Sequence, residues 1–356
     1  MKKICSLVIG ILVSTGMMAG EPSPPASQLI ARLKKIQKKG MMVGHQDDPV
    51  YGHNWKWDKG RSDVKDVCGD YPAVMGFELG GIELGHKENI DHVPFDRMRQ
   101  EIINQYKRGG VITLSWHPSN PVTGKNAWDP SGNPVKEIFP GGSQYQKFKV
   151  WLKIIAGFFN SLKTPAGKIV PVIFRPWHEM EGNWFWWGSQ GTSPEEYKKL
   201  YILTYHRLTD LYKCDNLVWA FSPNSGIDDY MKYYPGNHYV DLLGIDLYDF
   251  DHNNAVYEKN LRHDLDMLQC LGRQQGKLIA LTETGAQTLP DSTWFTQVFW
   301  PIAKKYPICY SLFWRNAWDS PKELYIAAPG LSVEKDFKVF AEDKRTLFDK
   351  DIEKIK

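Results

Sequence analysis

Ile169-Val-Pro-Val-Ile-Phe174 is a short apolar run, and Arg175-Pro-Trp-His-Glu179 follows it without a break. Such a run reads as a strand buried on both faces. Its polar residues come at its C-terminal end. The pattern recurs along the chain: Met41–His45, Ala73–Glu78, Val111–Trp116, Leu217–Phe221, Val240–Asp246, Leu278–Thr282 and Ile308–Trp314 complete a set of eight. Most starts are spaced as repeated β-then-α units require, at roughly 30 residues or more each. Helical apolar spacing fills several gaps, over Phe95–Tyr106, Tyr145–Leu162, Pro194–Tyr212 and Leu261–Leu271, with Ser193 placed to cap the third. Strands alternating with helices predict a parallel sheet buried on both faces. Eight units predict an α/β fold of one domain, a (β/α)8 TIM barrel over residues 21–356. An open doubly wound sheet is the competing architecture. It is disfavoured because no Gly-x-Gly-x-x-Gly turn follows the first strand.

The polar residues favour the barrel as well. The eight strands run into His45-Gln46-Asp47, Glu78, Trp116-His117, Arg175 to Glu179, Ser222 and Asn224, Asp246 and Tyr248, Glu283, and Trp314-Arg315-Asn316. Barrel enzymes assemble their sites at this face from the ends of several strands. One such residue is readily a helix cap; eight strands ending alike are not. Two long loops, Ser119–Gly142 with Trp128 and Ala317–Gly330, are expected as cleft walls.

The bulk numbers narrow the class. The chain has 356 residues, 42% hydrophobic and 24% charged, as in ordinary globular proteins. Its 14 Trp, 17 Tyr and 16 Phe suit either sugar-binding surfaces or an aromatic core. Lys2 and Lys3, an uncharged stretch to Gly20, and a Pro-rich run after it have the parts of a secretory signal peptide over residues 1–20. That stretch is too broken for a membrane span, and Cys5 lies before it rather than at a lipid-attachment position. The expectation is a soluble exported protein, periplasmic or secreted. Losing the two lysines takes the net charge from +3 to +1 (42 cations against 41 anions). Scattered, nearly balanced charge predicts no footprint for nucleic acid or an anionic membrane. Cys68, Cys214, Cys270 and Cys309 allow three disulfide connectivities, or Cys309 is a small buried apolar residue. No cysteine or histidine set has metal spacing, and His178-Glu179 lacks the following His of a zinc protease. No metal and no cofactor is expected. A charged helical tail follows residue 330, and a monomer is expected, although no pattern reports oligomeric state.

Glu179 and Glu283 end the fourth and seventh strands. Paired carboxylates at a barrel mouth suit glycosidic cleavage, one giving a proton to the leaving oxygen and the other attacking the sugar or activating water. Glu179 precedes Trp184-Phe-Trp-Trp187, and apolar surroundings keep a carboxyl protonated. Glu283 lies between Thr282 and Thr284, with Tyr248 and Arg315 expected near it as donors holding it ionised.

The segment Arg175-Pro-Trp-His-Glu-Met-Glu-Gly-Asn-Trp-Phe-Trp-Trp187 resembles the acid/base motif of glycoside hydrolase family 26, and Leu281-Thr-Glu-Thr-Gly285 its nucleophile strand. Leu114-Ser-Trp-His-Pro118, Gly244-Ile-Asp-Leu-Tyr248 and Phe313-Trp-Arg-Asn316 are similar to its other strand ends. The resemblance implies a retaining enzyme acting on β-1,4-mannan or mannooligosaccharides, with Glu179 as acid/base and Glu283 as nucleophile. It implies His117, His178, Trp184 and Tyr248 around the scissile bond, Trp314 and Arg315 on the glycone side, Trp116 as a further substrate residue, and Arg175 and Asp246 as supports. His178 stands where related xylanases and cellulases carry Asn. Within the family, β-1,3:1,4-glucan and β-1,3-xylan remain alternative substrates. Some similar exported mannanases release mannobiose from chain ends behind a blocking loop, and Leu79–Pro94 is the candidate blocker. A non-catalytic sugar-binding barrel is the reading from another class, and the presence of both carboxylates argues against it. A metal-dependent deacetylase would need a His/Asp set that the spacing does not supply.

Overall fold

Met42, Gly44 and His45 of the first strand hydrogen-bond in register with the second strand on one side or the eighth on the other, so the sheet closes on itself. A computed structural model describes residues 24–227 and 229–355. Among these, eight parallel strands form the barrel in chain order: β1 Met41–Gln46, β2 Val74–Glu78, β3 Val111–Trp116, β4 Val172–Pro176, β5 Leu217–Phe221, β6 Leu242–Asp249, β7 Leu278–Ala286 and β8 Tyr310–Phe313. Closure excludes the open sheet. The expected signal peptide lies outside the described residues. No described helix is long and apolar enough to cross a membrane.

Alternation along the strands builds two cores. Outward residues such as Val43, Phe77, Leu114, Phe174, Trp219 and Ile245 join the surrounding helices. Inward residues such as Met42, Val74, Val111, Ile173, Val218 and Leu242 form a second cluster. Helix α1 (Pro24–Ile36) closes that cluster from below with Ala26, Leu29, Leu33 and Ile36. The barrel is thus plugged at its N-terminal end and open only at the other.

Around it lie α2 (Asp63–Cys68), α3 (Phe95–Arg108), α4 (Tyr145–Ser161), α5 (Pro194–Tyr205), α6 (Asn254–Gln275) and α7 (Glu334–Ala341). Ser193 caps α5 as expected: its hydroxyl accepts the Glu196 N–H at 3.3 Å while the Glu196 carboxylate accepts the Ser193 N–H at 2.9 Å. Past Tyr205 the expected helix widens into π turns over His206–Leu211. The fourth strand begins three residues later than expected. Pro171 has no N–H for a ladder, and Ile169 instead bridges back to Lys163. Between β5 and β6 only a 3-10 turn, Tyr230–Tyr233, fits the short connection.

The charged tail packs into the one expected domain: Phe337 and Phe340 are buried against Phe295, and Thr346–Leu347 pairs parallel with the start of β1. The four cysteines at 68, 214, 270 and 309 are all free, with Cys309 buried as a small apolar residue.

Candidate active site

Beyond the apolar plug, the inward positions turn polar toward the ends of seven of the eight strands: Gln46, Glu78, Ser115, Arg175, Ser222, Asp246 and Thr282 are all buried. Strict alternation would make Glu283 face outward with Ile279 and Leu281. A β-bulge prevents this. Ile245 of β6 pairs with Leu281, but the next residue, Asp246, pairs with Glu283. The extra residue re-aims the strand, and consecutive side chains both enter the barrel. Thr282 donates to Asp246 Oδ1 at 2.6 Å, while Glu283 takes the Tyr248 hydroxyl on Oε2 at 2.7 Å and the Arg175 guanidinium on Oε1.

Arg175 fixes this corner. It donates to Asp246 Oδ2 at 2.8 Å and to the Ser222 hydroxyl at 3.2 Å, as well as to Glu283. The expected guanidinium beside Glu283 is therefore that of Arg175, not Arg315. Burial and the facing Glu283 push the Tyr248 phenol well above its ordinary range, which keeps it a proton donor to the carboxylate.

Glu179 comes from the irregular end of β4. Trp177 and Glu179 both hold left-handed backbone, φ 56° and 53°, conformations that cost energy outside glycine and gather at functional sites. Trp177 is locked from both ends: its indole donates to Thr204 and its carbonyl accepts from Tyr197. The Glu179 N–H is taken by the Ser222 carbonyl at 2.9 Å, and its Oε2 accepts the Trp184 indole N–H at 2.8 Å. Burial, then the nearby Asp246 and Glu283 carboxylates, push the Glu179 carboxyl well above its ordinary range. Oxygens of Glu179, Asp246 and Glu283 lie within 4.8 Å of one another. The three could chelate a cation, but the Arg175 guanidinium already sits on two of them.

The walls are aromatic. His117 donates its Nδ1–H to the Glu78 carboxylate at 2.7 Å, stacks on Trp128 (5.2 Å, 12°) and meets the His178 ring edge-on at 4.4 Å. Burial alone would raise the Glu78 carboxyl, but His117 and Ser115 outweigh it and hold the carboxyl below its usual range. Burial, then Arg175, lowers the His178 imidazole well below its ordinary value, so it is a neutral wall.

A cleft of about 470 Å³ is lined by His117, Trp128, His178, Glu179, Trp184, Phe185, Asn224, Tyr248, Phe250, Glu283, Trp314 and Tyr325. A side chamber of about 250 Å³ continues it past Trp128 and Trp314 to Ile90, Asp91, Gln287, Arg315 and Glu323. There Arg315 joins three loops, pairing with Asp91 at 2.9 Å, with Glu323, and with the Tyr51 hydroxyl at 3.2 Å. His92 meets Trp318 at 6.4 Å, so the Leu79–Pro94 loop touches the loop after β8 at this end.

The structure brings together Glu179, Glu283, His117, His178, Trp184, Tyr248 and Trp314, with Arg315 in the side chamber. Arg175 and Asp246 lie beneath as supports without lining the cleft. Trp116 does not belong to the site: it points outward on β3, fully buried against Trp177, its indole on Glu83. Trp186 and Trp187 are likewise buried, donating to the carbonyls of Pro118 and His178. Trp128, Phe185, Asn224, Phe250 and Tyr325 complete the lining without having been singled out as substrate residues. Phe250, stacked on Tyr248 at 5.0 Å and 55% exposed, carried a signal in its spacing of two from Tyr248 at a strand end.

Comparison with known proteins gives consistent results. The family model for glycosyl hydrolase family 26 matches residues 19–326. A mannan endo-1,4-beta-mannosidase of Bifidobacterium adolescentis is 31% identical over 90% of this chain and 34% of its own length; one from Bacillus subtilis strain 168 is 30% identical over 72% and 70%. The chain thus spans about a third of the first relative. Among solved structures, a GH26 beta-mannanase from Bacteroides ovatus superposes with a TM-score of 0.90 at 42% identity, covering 94% of this chain and 98% of that one.

Proposed function

The chain belongs to glycosyl hydrolase family 26, and from that premise we propose that it cleaves β-1,4-mannan by a retaining mechanism, with Glu179 as general acid/base and Glu283 as nucleophile. The observation that carries this reading is the approach of the Glu179 and Glu283 oxygens to within 4.8 Å. Retaining pairs stand roughly 5–5.5 Å apart, whereas inverting pairs leave about 6.5–9.5 Å for a water.

In the first step a Glu283 oxygen bonds to the anomeric carbon as the glycosidic C–O bond breaks, and Glu179 gives its proton to the departing oxygen. In the second, Glu179 takes a proton from water, the water oxygen bonds to the same carbon, and the ester to Glu283 breaks. The raised Glu179 carboxyl suits a proton donor near neutrality. Arg175 and Tyr248 aim both oxygens of Glu283. Mannan enters through the names of the relatives, two mannan endo-1,4-beta-mannosidases. Attack near chain ends, with mannobiose as product, is supported by the narrow chamber that Asp91, Arg315 and Glu323 close. The same reading takes the enzyme as an exported monomer.

A time course on linear β-mannan, with carboxymethyl-cellulose and xylan as controls, tests this. Mannobiose from the earliest time supports the full reading. A broad ladder keeps the mannanase and removes end attack. Product from glucan or xylan but not mannan overturns the substrate, and no product from any leaves a binding barrel.

A further inference from the structure

The net charge near zero hides a segregation rather than a scatter. Between Pro24 and Gly40 the chain carries five cations, Arg32, Lys34, Lys35, Lys38 and Lys39, and no Asp or Glu. This is α1 and its exit, laid across the closed end of the barrel. Arg32 is engaged in structure, donating to the carbonyls of Ile355 at 2.7 Å, Ile352 at 2.8 Å and Gly109. The four lysines are exposed. Beside them opens a cavity of about 690 Å³, larger than the catalytic cleft. Its rim carries Lys35, Lys107 and Lys168 against a single acid, Glu353, and its floor is apolar, with Leu29, Val111 and Pro171. The lining of the cleft at the other end of the barrel has no such cluster of cations: Glu179 holds its proton, Glu283 is matched by Arg175, and Asp91 and Glu323 outnumber Arg315 in the side chamber.

We propose that this basal face, α1 with the adjoining groove, docks on an anionic phospholipid surface and holds the cleft facing away from it. Charge complementarity chooses the partner. Cations ringing an apolar floor match a phosphate headgroup on its glycerol, while a neutral polysaccharide offers them nothing. The attraction fades within about 10 Å at ordinary salt, so only a face held against the surface feels it. The cleft lining offers the same surface no comparable cluster of cations, which sets the orientation.

The test is sedimentation of the full chain with phosphatidylglycerol-containing vesicles and with pure phosphatidylcholine vesicles, at low and high salt. Binding is expected to the anionic vesicles alone and to be reversed by salt. Each lysine at such a surface contributes about fivefold in partitioning. A Lys34→Gln/Lys35→Gln/Lys38→Gln/Lys39→Gln variant should therefore lose about a hundredfold or more while hydrolysing soluble mannan at the wild-type rate, which reports its folding. Lys107→Gln/Lys168→Gln tests the groove separately, with about twenty-five-fold expected. Equal binding to neutral vesicles, or binding that salt leaves unchanged, overturns the proposal. An unchanged quadruple variant overturns it too. Equal retention by duplex DNA would reassign the face to polyanions in general and overturn the lipid assignment.

Discussion

Thr282 and Glu283 are adjacent in the chain, and both side chains point into the barrel, one to Asp246 and the other to Arg175 and Tyr248. The bulge makes this possible, and Gly244 on β6 makes room for it: a Cβ there would stand 2.4 Å from the Thr282 methyl. Gly244→Ala should therefore overpack the interior by about 1–3 kcal/mol and displace Glu283. A lower urea midpoint together with a lower kcat is expected. An unchanged midpoint would mean that the bulge has slack on that side.

Glu179→Gln removes the proposed proton donor. General acid catalysis is worth about a hundredfold to ten-thousandfold, so kcat/KM on mannan should fall in that range. A substrate with a strongly acidic leaving group should retain much of its first step, because it needs no proton. The same substitution should stabilise the fold at neutral pH. Burial and Asp246 raise the native Glu179 carboxyl above its unfolded value. Its contribution to stability is therefore present below the unfolded pKa and is lost as pH rises toward the native one. Glutamine carries no such dependence. The melting temperatures of variant and wild type should agree near the acid end and separate toward pH 7, with the variant higher.

Tyr248→Phe deletes a hydroxyl that donates to Glu283 at 2.7 Å. A hydrogen bond to a charged group is worth about 1.5–3 kcal/mol, so the loss in kcat should be about tenfold to a hundredfold. Glu283 keeps Arg175, and the fold should be unaffected. A variant with wild-type kcat would show that Arg175 alone aims the nucleophile.

The strand-end rule found most of this site because inward polarity at the open end of a barrel is a property of periodicity, which sequence displays. Five of eight strands begin within one residue of the apolar runs that announced them. Arg175 and Arg315 were harder. Both stand at strand ends, but which carboxylate each reaches depends on the bulge at Thr282 and on loops that meet only in three dimensions. Trp116 misled for a related reason: on β3 it alternates with Ser115, and one step of parity takes it from the mouth to the outer core. The aromatic count could not separate wall from core, since Trp184 and Trp187, three residues apart, serve one each.

The contact of Asp91 with Arg315 at 2.9 Å ties the loop after β2 to the end of β8. It gives this end of the cleft a pH dependence that product analysis can read. Burial pushes the Asp91 carboxyl up to about 6, against the pull of Arg315. Above that pH both partners are charged and the clasp is at its strongest. As pH falls through about 6 the carboxylate takes a proton and the pair weakens. Global stability runs the other way, because a raised native pKa favours the fold at low pH and loses that contribution as pH rises through about 6. Oligosaccharides longer than the dimer should therefore form a larger share of early products at pH 5 than at pH 7, although the fold itself is no less stable there. Asp91→Asn should give the acid pattern at both values, with kcat on long mannan little changed. A product ratio that is flat with pH in the wild type, or one still rising with acidity in Asp91→Asn, would remove Asp91 from control of this end of the cleft.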